Sequence, residues 1–338
     1  MLAWFRLIRA SGLVTVIADI ATAVLVAVYA SEGLSLKIII KRLVEFSGWH
    51  AVWVVVASLL LYCTGMIWND IADVERDRVR HPDRPLPSGR INLVTAYIVG
   101  LLTAGGALVA ATFGDGGATG NGHGFFACGV VLTLIFLYNL VTKDVPWLGS
   151  LTMALVRFSH AIFALLVLGP DYLKMAVLVH TQPGQVFVLA YPLVLGVYVF
   201  GLTLLSELED RPSRRWELLA AGGLMTAAIA AAGWMLLSAH WLRTIGQADR
   251  SFMLIGMGVA VILGCILLAW LAASVLRPWW AALSLGRRTL IGPAVIAALG
   301  GLVLLDAVVA ISANPYGGIV VASLIVVYLL GRLVARMD

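Results

Sequence analysis

The chain has little charge for its length. Only 12% of its 338 residues are Asp, Glu, Lys or Arg, whereas 61% are hydrophobic. Its mean hydropathy of +0.98 is far above what a water-soluble domain exposes without aggregating. These values exclude an ordinary soluble protein and predict an integral membrane protein. Apolar runs recur from end to end with no polar linker between two halves, so we expect one transmembrane domain over residues 1–338.

Cysteines and nucleic-acid motifs are also scarce. Cys63, Cys128 and Cys265 lie far apart within apolar runs, and they match neither a metal-ligand spacing nor a disulfide framework. The net charge of +5 is spread over many short loops, which is typical of membrane orientation rather than of a basic patch for RNA or DNA. We therefore expect the lipid bilayer, and no nucleic acid, as a partner.

Membrane-length helices account for most of the sequence. A bilayer core of about 30 Å requires about 20 helical residues, and every backbone polar group inside it must be paired within its own segment. The sequence therefore predicts an all-α, polytopic transmembrane bundle. Ten candidate spans lie at residues 11–30, 50–68, 91–113, 125–141, 148–168, 185–206, 216–238, 252–275, 290–312 and 317–335.

The distribution of Lys and Arg assigns sides to the loops. With the N-terminus inside, sixteen of the 23 basic residues lie in cytoplasmic loops, six lie outside, and Arg157 lies within a span. This asymmetry is what the positive-inside rule describes. We expect a bacterial cell (inner) membrane protein in which residues 69–90, the Lys143 loop and the segment after Ser206 all face the cytoplasm.

The densest block of charge follows the second span, where residues 69–90 hold ten of the chain's 41 charged residues. If the helix continues into this block, its 3.6-residue period places Asn69, Asp73 and Asp77 on one stripe. Asp70 neighbours Asp73 at a spacing of three. Carboxylates that converge without a cation repel each other, and a hard ion such as Mg²⁺, which takes oxygen ligands and is often shared with substrate phosphates, removes that repulsion.

Arginines flank these acids. Arg76, Arg80 and Arg84 recur four residues apart on a separate stripe and supply fork-shaped donors for a diphosphate. Three prolines between residues 82 and 87 end the helix and stiffen the loop that carries Arg84. A charged cytoplasmic loop is also typical of a plain solvated surface, but the amide-and-acid spacing favours a metal and diphosphate site.

These residues carry a family resemblance. The letters NDIADVERD at residues 69–77, followed by DRPLPSG at 83–89, resemble the first signature of the UbiA superfamily of intramembrane prenyltransferases. The resemblance implies a bundle of usually nine spans, hence nine to ten here, around a central cavity with a Mg²⁺-diphosphate site at its cytoplasmic end. It also implies diphosphate-facing roles for Arg9, Tyr138 and Lys143.

The second aspartate motif of that family is altered. A DxxxD pattern should close the sixth span, but residues 204–212 read LLSELEDRP. Aligned on Glu207, the fourth following position is Arg211, which cannot ligate a cation. Glu207 and Asp210 form an altered second half-site, with Arg211 as a charge clamp, or else the second metal is absent. The form of this segment also resembles a divergent UbiA-like branch labelled EboC, which implies a link to metabolite export.

Three charged residues interrupt apolar runs: Asp19, Arg157 and Asp306. A charge at mid-membrane costs about 2.5–3.5 kcal/mol on insertion scales, so each should face the bundle interior or a wet cavity. An Asp19–Arg157 pair is one such arrangement, and Asp306 is expected to be solvated or paired. His160, three residues after Arg157, is a satisfied core histidine or a proton acceptor for the substrate.

The sequence thus predicts a Mg²⁺-dependent prenyltransferase that moves an isoprenoid chain from an allylic diphosphate to a small aromatic or otherwise nucleophilic acceptor. The alternative is a UbiA-like protein that binds, or helps to export, an isoprenoid or metabolite without prenyl transfer. We expect catalytic roles for Asp73, Asp77, Lys143 and Glu207, substrate contacts from Arg9, Arg84, Tyr138, Lys143, Arg157 and Arg211, and Mg²⁺ ligation by Asn69, Asp70, Asp73, Asp77, Glu207 and Asp210.

Overall fold

The structure is a computed structural model that describes residues 2–9, 12–32, 49–115, 121–168, 183–210, 214–238 and 251–337. No strand occurs among these residues, which confirms the all-α class. The α-helices are α1 (Leu2–Leu7), α2 (Leu13–Glu32), α3 (Trp49–Arg80), α4 (Leu93–Gly114), α5 (His123–Leu137), α6 (Leu148–Leu168), α7 (Pro183–Asp210), α8 (Arg215–Leu237), α9 (Ser251–Leu285), α10 (Ile291–Ala313) and α11 (Pro315–Met337). A π-helix, Tyr138–Thr142, follows α5, and a 3₁₀ turn, Arg288–Leu290, precedes α10.

Each predicted span coincides with one of the helices from α2 to α11, so the transmembrane bundle is confirmed. Within the described ranges, eight of these helices are long and apolar enough to cross a membrane. The apolar stretches described in α2 and α11, Leu13–Ala27 and Gly317–Leu330, are shorter. The chain is an integral membrane protein by the length and composition of its helices.

Several helices extend beyond the apolar runs that predict them. The 32 residues of α3 span about 48 Å, roughly three turns more than a bilayer core of about 30 Å requires. α7 continues to Asp210 and α9 to Leu285, because hydrogen bonding along the backbone does not stop where hydropathy falls. The extension of α3 carries the first half of the charged block, residues 69–80, on a rigid helix.

α10 is the central helix of the bundle. It packs against α2, α7, α8, α9 and α11, and residues 301–314 are buried without interruption. The Tyr198 hydroxyl donates to the Ala298 carbonyl at 2.7 Å, where Gly301 leaves room for the phenol ring. Small residues allow helices to approach closely in a membrane, where packing rather than hydrophobicity drives association.

A second close approach joins α8 to α9. The Trp279 indole donates from Nε1 to the Leu218 carbonyl at 2.7 Å and lies against the α-carbon of Gly222. A Cβ on Gly222 would overlap the indole ring, whereas a Cβ on the adjacent Gly223 would meet nothing within 4 Å. The two neighbouring glycines therefore differ in function: only the first is required by packing.

We expect Gly222→Ala to lower the stability of the detergent-solubilised protein by about 1–3 kcal/mol, because the hydrogen-bonded indole cannot move aside without strain. Gly223→Ala is the matched control, and it should be neutral or slightly stabilising because Ala is the better helix former. Thermal unfolding followed by circular dichroism measures both. Equal effects of the two substitutions would contradict this packing model.

Candidate functional site

The segments that carry the predicted site residues meet at one end of the bundle. Lys143 Nζ, after α5, lies 2.6 Å from Asp73 Oδ1 on α3, and the Trp147 amide donates to Glu207 Oε2 on α7 at 3.1 Å. The predicted common face for residues 69–90, the Lys143 loop and the end of α7 is thus confirmed. The assignment of this end to the cytoplasm rests on the distribution of Lys and Arg.

The three aspartates of α3 are buried and face cationic partners. Asp73 is 6% exposed, and its Oδ1 accepts from Lys143 Nζ at 2.6 Å and from Arg76 Nη2 at 2.5 Å. Arg76 also reaches Asp144 Oδ1 at 3.0 Å, so it links α3 to the α5–α6 connection. Asp77, 3% exposed, accepts from Arg84 Nη1 at 2.6 Å. A buried carboxylate is costly unless it is paired, and each of these two has a pair.

The loop after α3 holds Arg84 in place. The Ser88 hydroxyl donates to the Arg84 carbonyl at 2.7 Å, and the Gly89 amide donates to the Leu86 carbonyl at 3.0 Å. Gly89 has a φ of 74°, a left-handed conformation that glycine adopts without steric cost. Leu86 is buried against α3 and α4 in a small apolar cluster. The loop therefore fixes the guanidinium over Asp77 through backbone turns and one buried anchor.

Arg9 approaches the same acids from the turn before α2. Its Nη2 lies 3.7 Å from Asp70 Oδ1, and its backbone has a φ of 46°, which is uncommon for a residue with a side chain. The Tyr62 hydroxyl donates to the Arg9 carbonyl at 3.1 Å, and Gly12 leaves the space that this hydroxyl occupies. The strained turn is thus stabilised by neighbours, as at many ligand-binding sites.

A π-helix turns the chain between α5 and Lys143. The Lys143 amide donates to the Tyr138 carbonyl, five residues back, at 3.0 Å. The Asn139 side chain donates to the Ile135 carbonyl at 2.9 Å and to the Gly65 carbonyl of α3 at 3.4 Å. Single π turns widen a helix and are frequent at functional sites. Here the extra residue places Tyr138 on the cavity wall and Lys143 on Asp73.

Glu207 has a position that the altered motif did not predict. Its Oε2 accepts from the Trp147 amide, and its Oε1 accepts from the Ser150 amide at 3.0 Å and from the Ser150 hydroxyl. The carboxylate therefore caps the first turn of α6, where free amides favour negative charge. The side chain of Asp210 and the whole of Arg211, predicted to complete a second half-site, lie outside the described residues.

The oxygen donors of α3 are of the type that Mg²⁺ binds. No group of three or more His, Cys, Asp or Glu in the described chain has the arrangement of a metal site, since cationic side chains hold the carboxylates instead. Asp70 Oδ1 is buried without a hydrogen-bond partner among the described residues, and Asn69 lines the cavity. Asp70 Oδ1 can therefore still accept from a ligand, and the carboxylates of Asp73 and Asp77 lie on the same helix. Such a set of oxygens suits a hard cation.

A central cavity of about 420 Å³ opens next to these acids, as the family resemblance implied. Arg9, Asn69 and Tyr138 line it near the charged end, and its wall is mainly apolar, with residues from α2, α3, α5, α6, α7, α10 and α11. Its volume falls in the range of small-molecule sites, about 300–1,000 Å³. An apolar cavity that ends at a set of buried charges suits an amphiphile with an anionic head.

A second polar cluster lies deeper in the bundle. Arg157 Nη1 contacts Asp19 Oδ2 at 2.6 Å, which confirms the predicted pair, and His160 Nδ1 lies 3.7 Å from the same oxygen. Asp306 is fully buried rather than solvated, and the Tyr191 hydroxyl lies 3.0 Å from its Oδ1. Arg157 and His160 line the cavity.

The sequence did not single out several residues that the fold brings to the site. Arg76 was expected to flank the acids as a diphosphate donor, but its contact with Asp73, three residues before it on the helix, was not predicted. Ser150, Asn139 and Ser58 gave no signal in the sequence, because their neighbours come from other helices.

Comparisons with solved structures show the same fold. The apo structure of a UbiA homologue from Aeropyrum pernix K1 has a TM-score of 0.54 and 16% identity, over 87% of this chain and 96% of that one. A structure of a digeranylgeranylglyceryl phosphate synthase has a TM-score of 0.50 and 16% identity, over 89% and 97%.

Sequence comparisons identify the family. The digeranylgeranylglyceryl phosphate synthase of Methanosarcina barkeri (strain Fusaro / DSM 804) is 34% identical over 131 residues, which are 37% of this chain. The match spans about two fifths of the length of that relative, 41%. The family model of UbiA prenyltransferases matches residues 20–284, more than three quarters of the chain. The chain therefore belongs to the UbiA prenyltransferase family.

Proposed function

We propose that this protein is a Mg²⁺-dependent prenyltransferase that moves an isoprenoid chain from an allylic diphosphate to a small nucleophilic acceptor. One observation carries the proposal: Asp70, Asp73 and Asp77 of α3 are buried beside cationic side chains, and Asn69 of the same helix and Arg9 line the adjacent end of an apolar cavity. The curated relatives that match this chain are named for digeranylgeranylglyceryl phosphate, whose name includes isoprenoid groups, and this supports an isoprenoid substrate.

The cationic side chains bind the diphosphate in this proposal. Lys143, Arg84 and Arg9 each pair with one aspartate of α3 and can turn to phosphate oxygens. Asn69, Asp70, Asp73 and Asp77 would hold Mg²⁺, which would supply positive charge beside the leaving diphosphate. Fixed charges in a site that excludes water stabilise a developing negative charge at little reorganisation cost.

The cavity completes the reaction. Its apolar wall holds the isoprenoid chain, while Tyr62 and Tyr138 present aromatic rings to it. Aromatic faces attract a cation, so the rings stabilise the allylic cation after its C–O bond breaks and the electron pair leaves with the diphosphate. The acceptor then bonds to the allylic carbon and loses a proton. Exclusion of water keeps the cation from being hydrolysed.

A second function has one observation in its favour. Both oxygens of Glu207 are engaged by the first turn of α6, so the altered second motif contributes a structural cap. A protein with only the first acidic motif could bind an isoprenoid diphosphate with Mg²⁺ and present it for export without cleaving it. Prenyl transfer and binding alone differ in one measurable event, the release of diphosphate.

We expect purified protein in nanodiscs to release diphosphate from geranyl diphosphate only when Mg²⁺ is present. Asp73→Asn should reduce the release at least about 100-fold, because it removes the carboxylate that organises Lys143 and Arg76. Glu75→Gln is the matched control on the same helix, since Glu75 is exposed and pairs only with exposed Arg78 in the hydrogen bonds described. A coupled pyrophosphatase assay measures the rates.

Mg²⁺-dependent binding of geranyl diphosphate without any release, even when a small nucleophilic acceptor is added, would exclude transfer from this donor to that acceptor and support the binding function. Equal losses in Asp73→Asn and Glu75→Gln would contradict the assignment of the site.

Glu207 tests whether the altered motif is a cap or a ligand. As a cap, Glu207→Ala removes the acceptor of three hydrogen bonds and should destabilise the protein by about 2–4 kcal/mol. Glu207→Gln keeps one acceptor oxygen and should lose about half as much. Thermal unfolding and the Mg²⁺ concentration for half-maximal geranyl diphosphate binding measure both effects. A normal melting temperature with at least a tenfold higher Mg²⁺ requirement would instead identify a metal ligand.

A further inference from the structure

The inner end of the cavity is polar, although nothing in prenyl transfer from the charged end uses it. Arg157 and His160 on α6, Thr15 on α2 and Ser58 on α3 line the wall there. Arg157 lies nine residues after Leu148, about 14 Å along α6 from the charged end. Ser58 lies eleven residues before Asn69, about 16 Å along α3. The cavity thus has two polar ends with an apolar section between them.

The inner end carries no net positive charge. The Arg157 guanidinium is already neutralised by Asp19, 2.6 Å from its Nη1, and its Nη2 donates to the Thr15 hydroxyl at 3.3 Å. Asp306 lies behind this pair and shares Tyr191 with Asp19. With a neutral imidazole, the cluster carries a net charge of zero if Asp306 is protonated and −1 if it is not. Neither state attracts an anion.

Hydrogen-bonding capacity nevertheless remains at this end. Ser58 is 1% exposed and His160 is 5% exposed, and both line the cavity. The Ser58 hydroxyl and His160 Nε2 have no hydrogen-bond partner in the described part of the protein. A buried polar atom without a partner costs about 1–3 kcal/mol, so such atoms are normally satisfied by a ligand or by water.

We propose that this inner end binds an uncharged hydrogen-bonding group of the acceptor, a hydroxyl or an amino group, and discriminates against carboxylates and phosphates. The inference rests on the proposed function, because it concerns the acceptor of that reaction. Hydrocarbon placed here would leave Ser58 and His160 unpaired, so the isoprenoid chain occupies the apolar section and the acceptor spans toward the inner end. An anionic group would lose its hydration without gaining a free cation.

A pair of phenols of the same size tests the proposal: 4-hydroxybenzyl alcohol and 4-hydroxybenzoate share the ring and the phenol and differ in a hydroxymethyl or carboxylate group. Saturation-transfer NMR with the protein in zwitterionic nanodiscs measures their binding, with and without geranyl diphosphate and Mg²⁺, after subtraction of the signal from empty nanodiscs. We expect at least tenfold tighter binding of the alcohol.

The net charge of the inner cluster can be changed by substitutions that keep the shape of the side chain. Asp19→Asn leaves the Arg157 guanidinium without its neutralising partner, so preference should move at least tenfold toward 4-hydroxybenzoate. The double variant Asp19→Asn/Arg157→Gln returns the cluster to its original net charge and should again prefer the alcohol. If the single variant does not fold, the preference of the unaltered protein for the alcohol over the carboxylate remains the test.

Binding of 4-hydroxybenzoate to the unaltered protein as tight as that of the alcohol would overturn the proposal, and so would an Asp19→Asn preference that does not move. If neither phenol binds, the proposal is also overturned. These results are distinguishable from failure of the proposed function, because that failure is the absence of diphosphate release from geranyl diphosphate, which the coupled pyrophosphatase assay measures on the same samples.

Discussion

The ion pair between Lys143 and Asp73 is the contact on which the arrangement of the site depends. At 2.6 Å it joins the extension of α3 to the connection between α5 and α6, and both side chains are buried. Asp73 also holds Arg76, which reaches Asp144 on that connection. Removal of one partner of such a buried pair strongly destabilises the protein, because the other charge is then left unpaired in a low dielectric. The pair therefore fixes the position of the connection as well as its charge.

The altered acidic motif of α7 supports the same connection from the other side. Glu207 accepts hydrogen bonds from Trp147 and Ser150, so the segment after Lys143 is fixed at both ends. Trp147 has a φ of 67°, a left-handed conformation that a bulky residue rarely adopts, and its ring stacks on Trp216 of α8 at 5.3 Å. Glu207 thus has a structural role at the start of α6.

The cavity between the two polar ends explains why charge is present inside so apolar a chain. One end concentrates basic side chains on paired aspartates, which suits an anionic head group. At the other end, Arg157 and Asp19 cancel each other, which leaves hydrogen bonding without net attraction for an anion. In the proposed transfer reaction, Mg²⁺ would free the basic side chains of the charged end for an anion, whereas the inner end offers hydrogen bonds only, so the two substrates would be held apart within one small volume. α10, buried along much of its length, keeps the surrounding helices packed.

The sequence by itself determined the membrane class, the positions of ten helices and the stripe of Asn69, Asp73 and Asp77, and it offered the Asp19–Arg157 pair as one arrangement. Hydropathy, helical period and the cost of a lone charge in a bilayer are local quantities, so they can be read from one chain. Only the tertiary structure decided that Glu207 caps α6, that a π turn places Lys143 on Asp73, and that Ser58 and His160 share one end of a cavity. These facts depend on which helices are neighbours. Long-range contacts follow from packing and leave no periodic trace in the sequence.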